Sequence, residues 1–319
     1  MSDFKKGIVA VPDDFKGVDW IGKAKSAGLN TLGIHSGGGA AHDIFVNLGE
    51  YASTKFQQRV AASGLELEYE LHASKNLMPE KWFDTHPEYF QQTQRSMERV
   101  RDFNWCVSNP DTLKIIGNSA ADIIRRLPSS THDYFLWACD APGQWCHCRG
   151  CTPYTFSEQA LISANTIADA AVTVDPQAKV CYLAYLDTLE TPRLVRPRPN
   201  VICEYAPYRR SYEYAICDSR SGANRQHLKY LIELLELFGA EKMHILEYWL
   251  DGSLYGKPGD LHKSPFNKKI AEEDIRFYTS LGIKNITTFI VRMDGAYLEK
   301  YTDREFQEYA EVVNKYVRG

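Results

Sequence analysis

Three carboxylates in this sequence stand where hydrolytic chemistry could use them. Asp140, Glu204 and Glu247 each lie at or near the end of a short apolar run. Cleavage of a glycosidic bond generally needs one protonated carboxyl group to assist the leaving oxygen, and a second, ionised carboxylate to attack the sugar or activate water. We therefore expect Asp140 to be the general acid and Glu247 the nucleophile or base, with Glu204 as the other candidate for that second role.

The elements that must position these carboxylates are eight short apolar runs that alternate with longer amphipathic stretches. The predicted strands are Gly7–Val11, Thr31–His35, Leu65–His72, Tyr134–Cys139, Val180–Tyr185, Val201–Tyr205, Met243–Trp249 and Ile286–Arg292. Strands that are apolar along nearly their whole length are typical of a parallel sheet covered on both faces. No Gly-x-Gly-x-x-Gly motif follows the first run, which disfavours an open doubly wound sheet. The pattern predicts an α/β protein in which residues 1–319 form a single (β/α)8 TIM barrel.

Helices and one long insertion complete this predicted barrel. The clearest predicted helices are Asp111–Arg126, Ser157–Val174, Asn224–Phe238, Ala271–Leu281 and Asp303–Tyr316. The longest irregular segment runs from about Ala73 to Asn109, after the third strand, and a cysteine-rich loop follows the fourth strand. Because barrel enzymes carry their active sites on the loops after the strands, both segments are expected to form walls of the active site.

Polar and aromatic residues are concentrated near the C-terminal ends of the predicted strands. The expected substrate-binding residues are His35, His72, Trp145, Tyr185, Tyr205, Tyr248, Trp249 and Arg292. The aromatic rings offer flat apolar faces to a sugar, and Arg292 could bind an anionic group of the substrate. A different chemistry also stays open: His35 and His72, with a carboxylate, could hold a metal ion in a metal-dependent hydrolase or isomerase.

A cluster of cysteines follows Asp140 closely. Cys146, Cys148 and Cys151 have the spacing C-x-C-x-x-C, and Cys106 could supply a fourth sulfur from the preceding insertion. Tetrahedral zinc takes four such ligands, and sulfur-rich sites are usually structural. Three interpretations stay open, namely a structural zinc site, disulfides that include Cys106, and free thiols. No cofactor is expected for catalysis.

Charge and hydropathy exclude several classes of partner. The formal net charge is −4, and the 37 basic residues form no stripe, so a nucleic-acid partner is not expected. The sequence contains no run of 18 apolar residues, so no membrane partner is expected. Its N-terminus lacks the features of a signal peptide, which predicts a cytoplasmic protein unless a leader has been removed.

Several blocks of sequence resemble one known family. They are WACDAPGQWCHCRGC, VCYLAYLDTLETP, RPRPNVICEYAP, LEYWLDG, HPEYF and WCVSNPDTLKII. Together they resemble the bacterial TIM-barrel family catalogued as domain of unknown function 4838, over about residues 65–255. That family is similar to glycoside hydrolases of the α-glucuronidase and β-hexosaminidase type.

The resemblance carries an expectation about the active site. In the α-glucuronidases the acid follows the fourth strand, and the carboxylates that activate water follow the sixth and seventh, which implies the same roles for Asp140, Glu204 and Glu247. The chain departs from these relatives because Cys139 and Asp140 stand where the hexosaminidases carry Asp-Glu, and because Asp140 is shorter than the Glu of the α-glucuronidases. The resemblance implies a glycosidase that removes a terminal sugar, acidic or N-acetylated, from a glycan. The alternative is a barrel that binds carbohydrate without cleaving it.

Overall fold

Eight parallel strands form the centre of the protein. The computed structural model describes residues 4–39, 41–257 and 260–318. The strands are β1 (Lys5–Ala10), β2 (Thr31–His35), β3 (Glu66–His72), β4 (Asp133–Trp137), β5 (Lys179–Ala184), β6 (Val201–Tyr205), β7 (Met243–Glu247) and β8 (Asn285–Phe289). They close into a barrel in the order β1 to β8. This confirms the predicted (β/α)8 barrel.

Helices alternate with the strands, as the sequence predicts. They are α1 (Trp20–Ser26), α2 (Ile44–Leu48), α3 (Thr54–Ser63), α4 (Ser74–Leu77), α5 (Pro110–Arg126), α6 (Phe156–Ala171), α7 (Gly222–Phe238), α8 (Lys268–Ser280), α9 (Gly295–Tyr301) and α10 (Arg304–Tyr316). Within the described part of the chain, none of them is both long and apolar enough to cross a membrane.

Several strands end earlier than the sequence predicts. The apolar runs place the ends of β4, β5, β7 and β8 at Cys139, Tyr185, Trp249 and Arg292, whereas these strands end at Trp137, Ala184, Glu247 and Phe289. The residues that follow the strands are still largely buried, Cys139 and Trp249 among them. Burial therefore continues past the last ladder hydrogen bond, so hydrophobicity alone overestimates strand length.

The chain forms two compact units. The first contains Met1–His35, Ser53–Glu68 and Glu204–Gly319, and the second contains Ser36–Ala52 and Tyr69–Cys203. Each unit has its own apolar core. Asp140 and the cysteine cluster lie in the second unit, whereas Glu204 and Glu247 lie in the first.

The core of the second unit is built around two packed helices. On α5 the buried face includes Ile116 and Ile124, and on α6 it includes Leu161 and Ile167. Helix α6 begins with a capping box: Thr155 Oγ1 accepts a hydrogen bond from the Glu158 amide at 3.2 Å, and the Glu158 carboxylate accepts one from the Thr155 amide at 2.8 Å. Such a cap contributes about 1 kcal/mol. It fixes the start of α6 directly after the cysteine-rich loop.

The insertion after β3 packs against this helix pair. It carries α4 and is folded by two isolated antiparallel bridges, Phe90 with Trp105 and Gln92 with Arg99. The indole Nε1 of buried Trp105 donates to Ser163 Oγ on α6 at 2.9 Å. The insertion is therefore anchored to α6, and its position as a long loop after the third strand agrees with the prediction.

The first unit buries its core between strands and its outer helices. Trp20 on α1 meets Phe306 on α10 edge to face, with ring centroids 5.1 Å apart. The Tyr309 hydroxyl on α10 donates to the carbonyl of Gly7 in β1 at 2.7 Å. Buried aromatic rings with satisfied hydroxyl groups combine apolar burial with a directional bond. These contacts attach the C-terminal helix to β1.

Candidate active site

Asp140 lies three residues beyond the end of β4, at an open pocket of the second unit. Its side chain is half-buried, and its Oδ2 accepts a hydrogen bond from the Gly39 amide at 2.8 Å. The loop after β2 therefore holds the carboxylate in place through its backbone. Gly38 lies directly against this carboxylate, since a Cβ at that position would lie 2.5 Å from Asp140 Oδ2 and would displace it.

The pocket around Asp140 combines polar and aromatic groups. Its chemically distinctive lining residues are His72, Asp140, Trp145, Tyr182, Tyr185 and Asp187. Four of the predicted site residues, His72, Asp140, Trp145 and Tyr185, thus share one pocket, with apolar walls from β4, β5 and α6. A concave site with aromatic walls and a few convergent polar groups is typical of small-ligand binding.

His72, the last residue of β3, presents a neutral ring to this pocket. Its Nδ1 lies 2.8 Å from the carbonyl oxygen of Ala138, and because a carbonyl can only accept, Nδ1 carries the hydrogen. Burial lowers the pKa of His72, against the opposing influence of the Asp140 charge. The other nitrogen, Nε2, is therefore unprotonated and can accept a hydrogen bond, as from a sugar hydroxyl.

Asp187 is a pocket residue that the sequence reasoning missed. Its carboxylate accepts a hydrogen bond from the amide of Gly143, which belongs to the loop after Asp140. The backbone around it is fixed by Thr188, whose hydroxyl donates to the Leu183 carbonyl at 2.7 Å. Asp187 follows the end of β5 by three residues, the same offset that Asp140 has from β4. In the sequence, the available signal is that Asp187 lies two residues after the fifth apolar run, which ends at Tyr185.

Glu247 occupies a different environment, in the first unit. Its side chain is 0% exposed, and it accepts hydrogen bonds from the Tyr278 hydroxyl at 2.5 Å and from the Tyr212 hydroxyl at 3.2 Å. Arg210 Nε lies 3.2 Å from its Oε1 and also forms an ion pair with Asp274. Tyr278 and Asp274 belong to α8, so Glu247 faces that helix. Burial raises the pKa of Glu247, while Arg210 acts in the opposite direction.

Glu204 points away from the helix layer. The next residue of β6, Tyr205, donates from its hydroxyl to the backbone carbonyl of His227 on α7 at 2.9 Å. Since consecutive side chains of a strand point to opposite faces, Glu204 lies on the face of β6 that is turned away from α7. It is 2% exposed.

The other predicted aromatic and histidine residues lie in the first unit and fall into two groups. Tyr205 and Trp249 face helices. Tyr205 donates to the carbonyl of His227 on α7, and the indole of Trp249 donates to Asp274 on α8 at 3.0 Å. His35 and Tyr248 instead form a ring cluster with Phe289, each with centroids 5.2 Å from that ring.

Arg292 has φ of +71° and lies three residues after β8. Its guanidinium donates to the carbonyls of Gly256 and Lys257 at 2.9 and 3.1 Å. The side chain therefore braces the loop after β7.

The four cysteines converge in the second unit, next to the pocket loop. The Sγ atoms of Cys106, Cys146, Cys148 and Cys151 all lie within 4.8 Å of one another, and all four residues are buried. They could hold a metal ion. Among residues 4–39, 41–257 and 260–318 no other group of three or more His, Cys, Asp or Glu side chains has this geometry, and neither His35 nor His72 belongs to one.

Comparison of the sequence with family models gives a match over most of the chain. Residues 44–309 match the family described as Domain of unknown function (DUF4838). The chain belongs to this family. The match confirms the resemblance seen in the sequence blocks and extends it from α2 to the first half of α10. A comparison with the curated proteins finds no match.

Solved structures with the same fold include several glycoside hydrolases. The β-N-acetylhexosaminidase of Bacteroides fragilis NCTC 9343 aligns with a TM-score of 0.57 and 12% identity over 98% of this DUF4838 chain, which spans 66% of the enzyme's length. The glycoside hydrolase family 5 enzyme PbGH5A of Prevotella bryantii B14, in complex with a xyloglucan tetradecasaccharide, aligns with a TM-score of 0.53 and 10% identity over 98% of this chain and 97% of that one. A family 5 xyloglucanase of Paenibacillus pabuli aligns with a TM-score of 0.52 and 9% identity, over 99% of both chains. At these identities the likeness shows a shared fold.

Proposed function

We propose that this protein is a glycoside hydrolase in which Asp140 is the general acid. The observation that carries the proposal is the pocket at the end of β4, where a half-buried carboxylate, a neutral histidine and aromatic walls converge. A barrel glycosidase needs an acid at such a point to protonate the departing oxygen. The fold shared with a hexosaminidase and with family 5 enzymes supports this choice of reaction class.

The side chains around Asp140 suggest how a sugar would be held. The unprotonated Nε2 of His72 would accept a hydrogen bond from a hydroxyl group, and the rings of Trp145 and Tyr185 would pack against the apolar face of the sugar. Stacking of this kind contributes mainly through burial of apolar area. We assign the substrate as a terminal sugar of a glycan, in line with the exo-acting enzymes that the sequence resembles.

Of the two carboxylates predicted for the second catalytic role, we favour Glu204. Glu247 is enclosed by Arg210, Tyr278 and Tyr212 against α8, whereas Glu204 points away from the helix layer. A carboxylate that attacks a sugar or activates water must reach the substrate. Glu247 is accordingly assigned to holding α8 and the loop of Arg210 in place.

The function is tested with a panel of 4-nitrophenyl glycosides that includes N-acetylhexosaminides, glucuronides and glucosides of both anomers. We expect turnover of at least one member by the wild-type chain, and its loss in Glu204→Gln with unchanged thermal stability. Glu247→Gln is expected to lower thermal stability, because it weakens the contacts of Glu247 with Arg210 and Tyr278. Full activity in Glu204→Gln, with loss only in a stably folded Glu247→Gln, would reverse the assignment of the two residues. Binding of sugars without turnover of any glycoside would instead favour the non-catalytic carbohydrate-binding barrel.

Gly38→Ala is expected to reduce activity with little effect on stability. The added methyl group would lie 2.5 Å from Asp140 Oδ2, and the flexible carboxylate can move aside at small energetic cost. The acid would then be misplaced, which we expect to lower kcat/KM roughly tenfold or more, since small displacements at a reacting centre are costly. The control is Gly222→Ala, where a methyl group meets only Arg225 Nη2 at 3.6 Å. Equal kcat/KM in the two variants would show that the contact between Gly38 and Asp140 does not position the acid.

A further inference from the structure

The four-cysteine cluster is compact enough for its sulfurs to bind a single metal ion. Cys106 Sγ lies 3.5 Å from Cys148 Sγ and 3.7 Å from Cys151 Sγ. A zinc ion with Zn–S bonds of about 2.3 Å requires neighbouring sulfurs to be roughly 3.8 Å apart. Both separations are close to that value, and apolar packing alone does not explain why four sulfurs gather in one place.

The separations also discriminate among the alternatives. A disulfide needs sulfurs about 2.05 Å apart, and none of the four cysteines is bonded to another. A two-iron cluster would divide its four thiolates between two metal atoms and so spread them more widely than one ion does. All four Sγ atoms lie within 4.8 Å of one another, which fits one ion. Sulfur ligation in this geometry is typical of zinc.

The surroundings of the cluster suit a negatively charged metal centre. Four thiolates around Zn²⁺ carry a net charge of −2, which hydrogen-bond donors and a nearby cation stabilise. The amide of Gln92 and the guanidinium of Arg99 approach Cys146 Sγ at 3.4 and 3.5 Å. Ser108 Oγ lies 3.2 Å from Cys106 Sγ and 3.5 Å from Cys148 Sγ. The hydrogen bonds from these polar groups would be much weaker if the four sulfurs were neutral thiols.

The local backbone brings the ligands together in a tight turn. The amides of Cys151 and Thr152 both donate to the carbonyl of Cys148 at 2.9 Å. Gly150 is required inside this turn, because a Cβ there would lie 2.5 Å from Ser108 Oγ. The C-x-x-C segment is thus folded back on the insertion that carries Cys106.

We propose that Cys106, Cys146, Cys148 and Cys151 bind one zinc ion in a closed structural site that fixes the loop between Asp140 and Cys146. With four protein sulfurs no coordination position is left for water, so the ion stabilises the fold and takes no part in catalysis. The loop is also tied to the insertion by Asn104, whose side chain donates to the Gln144 carbonyl at 2.6 Å and accepts from the Cys139 amide at 2.9 Å. The zinc would stabilise both of these hydrogen bonds of Asn104. The zinc site would be present whether or not the protein is a hydrolase.

Metal analysis of the full chain, purified without chelator, tests the proposal. We expect about one zinc ion per chain, and in Cys148→Ser a zinc content at least roughly tenfold lower after dialysis. Cys217→Ser is the matched control, because Cys217 is exposed and lies outside the cluster, and it should keep the zinc content of the wild type. Iron in place of zinc, a disulfide among the four residues, or metal-free wild-type protein with four titratable thiols would overturn the assignment.

A second measurement keeps the proposal testable if Cys148→Ser does not fold. Zinc is released from the wild-type chain with a thiol reagent, and hydrogen exchange is followed across the chain. Exchange of the amides between Cys139 and Thr152 should rise at least roughly tenfold, while α10 keeps its protection. Unchanged exchange in the loop would refute the claim that the metal fixes it.

Discussion

Asp140→Asn is expected to lower kcat/KM by about three orders of magnitude on glycosides with poor leaving groups, because an amide cannot protonate the departing oxygen. The loss should shrink to about tenfold on 2,4-dinitrophenyl glycosides, whose leaving group departs without protonation. A residue with a purely structural role would reduce both reactions equally. The ratio of the two losses, measured under identical conditions, therefore reports directly on proton donation.

The matched control for this experiment is Asp187→Asn. Asp187 lines the same pocket, and an Asn in its place keeps an oxygen that can accept from the Gly143 amide. The variant removes one negative charge from the pocket and leaves Asp140 in place. We expect a change in kcat/KM of less than about tenfold that is the same for good and poor leaving groups. If the dependence on the leaving group appears in Asp187→Asn and not in Asp140→Asn, then Asp187 is the acid.

Arg210→Met is expected to reduce the free energy of unfolding by about 3–5 kcal/mol, the largest effect on stability predicted for a single substitution in this chain. Arg210 forms ion pairs with Glu247 and Asp274, and all three side chains are 0% exposed. Removal of the guanidinium leaves two buried carboxyl groups without their shared cation. Urea denaturation at neutral pH measures the loss.

Arg209→Met provides the control for that prediction. Arg209 is the preceding residue, but its side chain is exposed, so its replacement should change the free energy of unfolding by no more than about 0.5 kcal/mol. The comparison separates the effect of the buried network from the general loss of one positive charge. Equal stability of the two variants would contradict the view that Arg210 holds Glu247 and α8 together.

The barrel could be predicted from the sequence because eight runs rich in apolar residues alternate with amphipathic helices. The apolar character of the strands does not, however, indicate which face of the sheet a given side chain points to. Where both faces of a strand are buried, the pattern of apolar residues does not distinguish them. Glu247 was therefore expected at the substrate, and its contact with Tyr278 on α8 became evident only from the fold. Whether Glu247 or Glu204 assists Asp140 stays a prediction.

Contacts between segments that are distant in the sequence account for the other features of the site that the sequence did not predict. The sequence places Asp140 after β4, although the strand ends at Trp137 and not at the predicted Cys139. Nothing local indicates that the Gly39 amide would bind it from a loop one hundred residues earlier. The convergence of Cys106 on the later cysteines could be anticipated from residue type and spacing. Their separations, which distinguish a metal site from disulfides, depend on how the insertion folds.

The amide side chain of Gln159 on α6 holds the end of the pocket loop from two sides. Its Oε1 accepts from the Cys146 amide and its Nε2 donates to the Cys146 carbonyl, both at 3.1 Å. At the other end of the loop, Asp140 is held by Gly39. The five residues from Ala141 to Trp145 thus lie between two residues held by hydrogen bonds, Asp140 and Cys146. Libraries that vary Ala141, Pro142 and Trp145 would alter the pocket wall, while unchanged Gly143 and Gln144 would keep the contacts of this segment with Asp187 and Asn104.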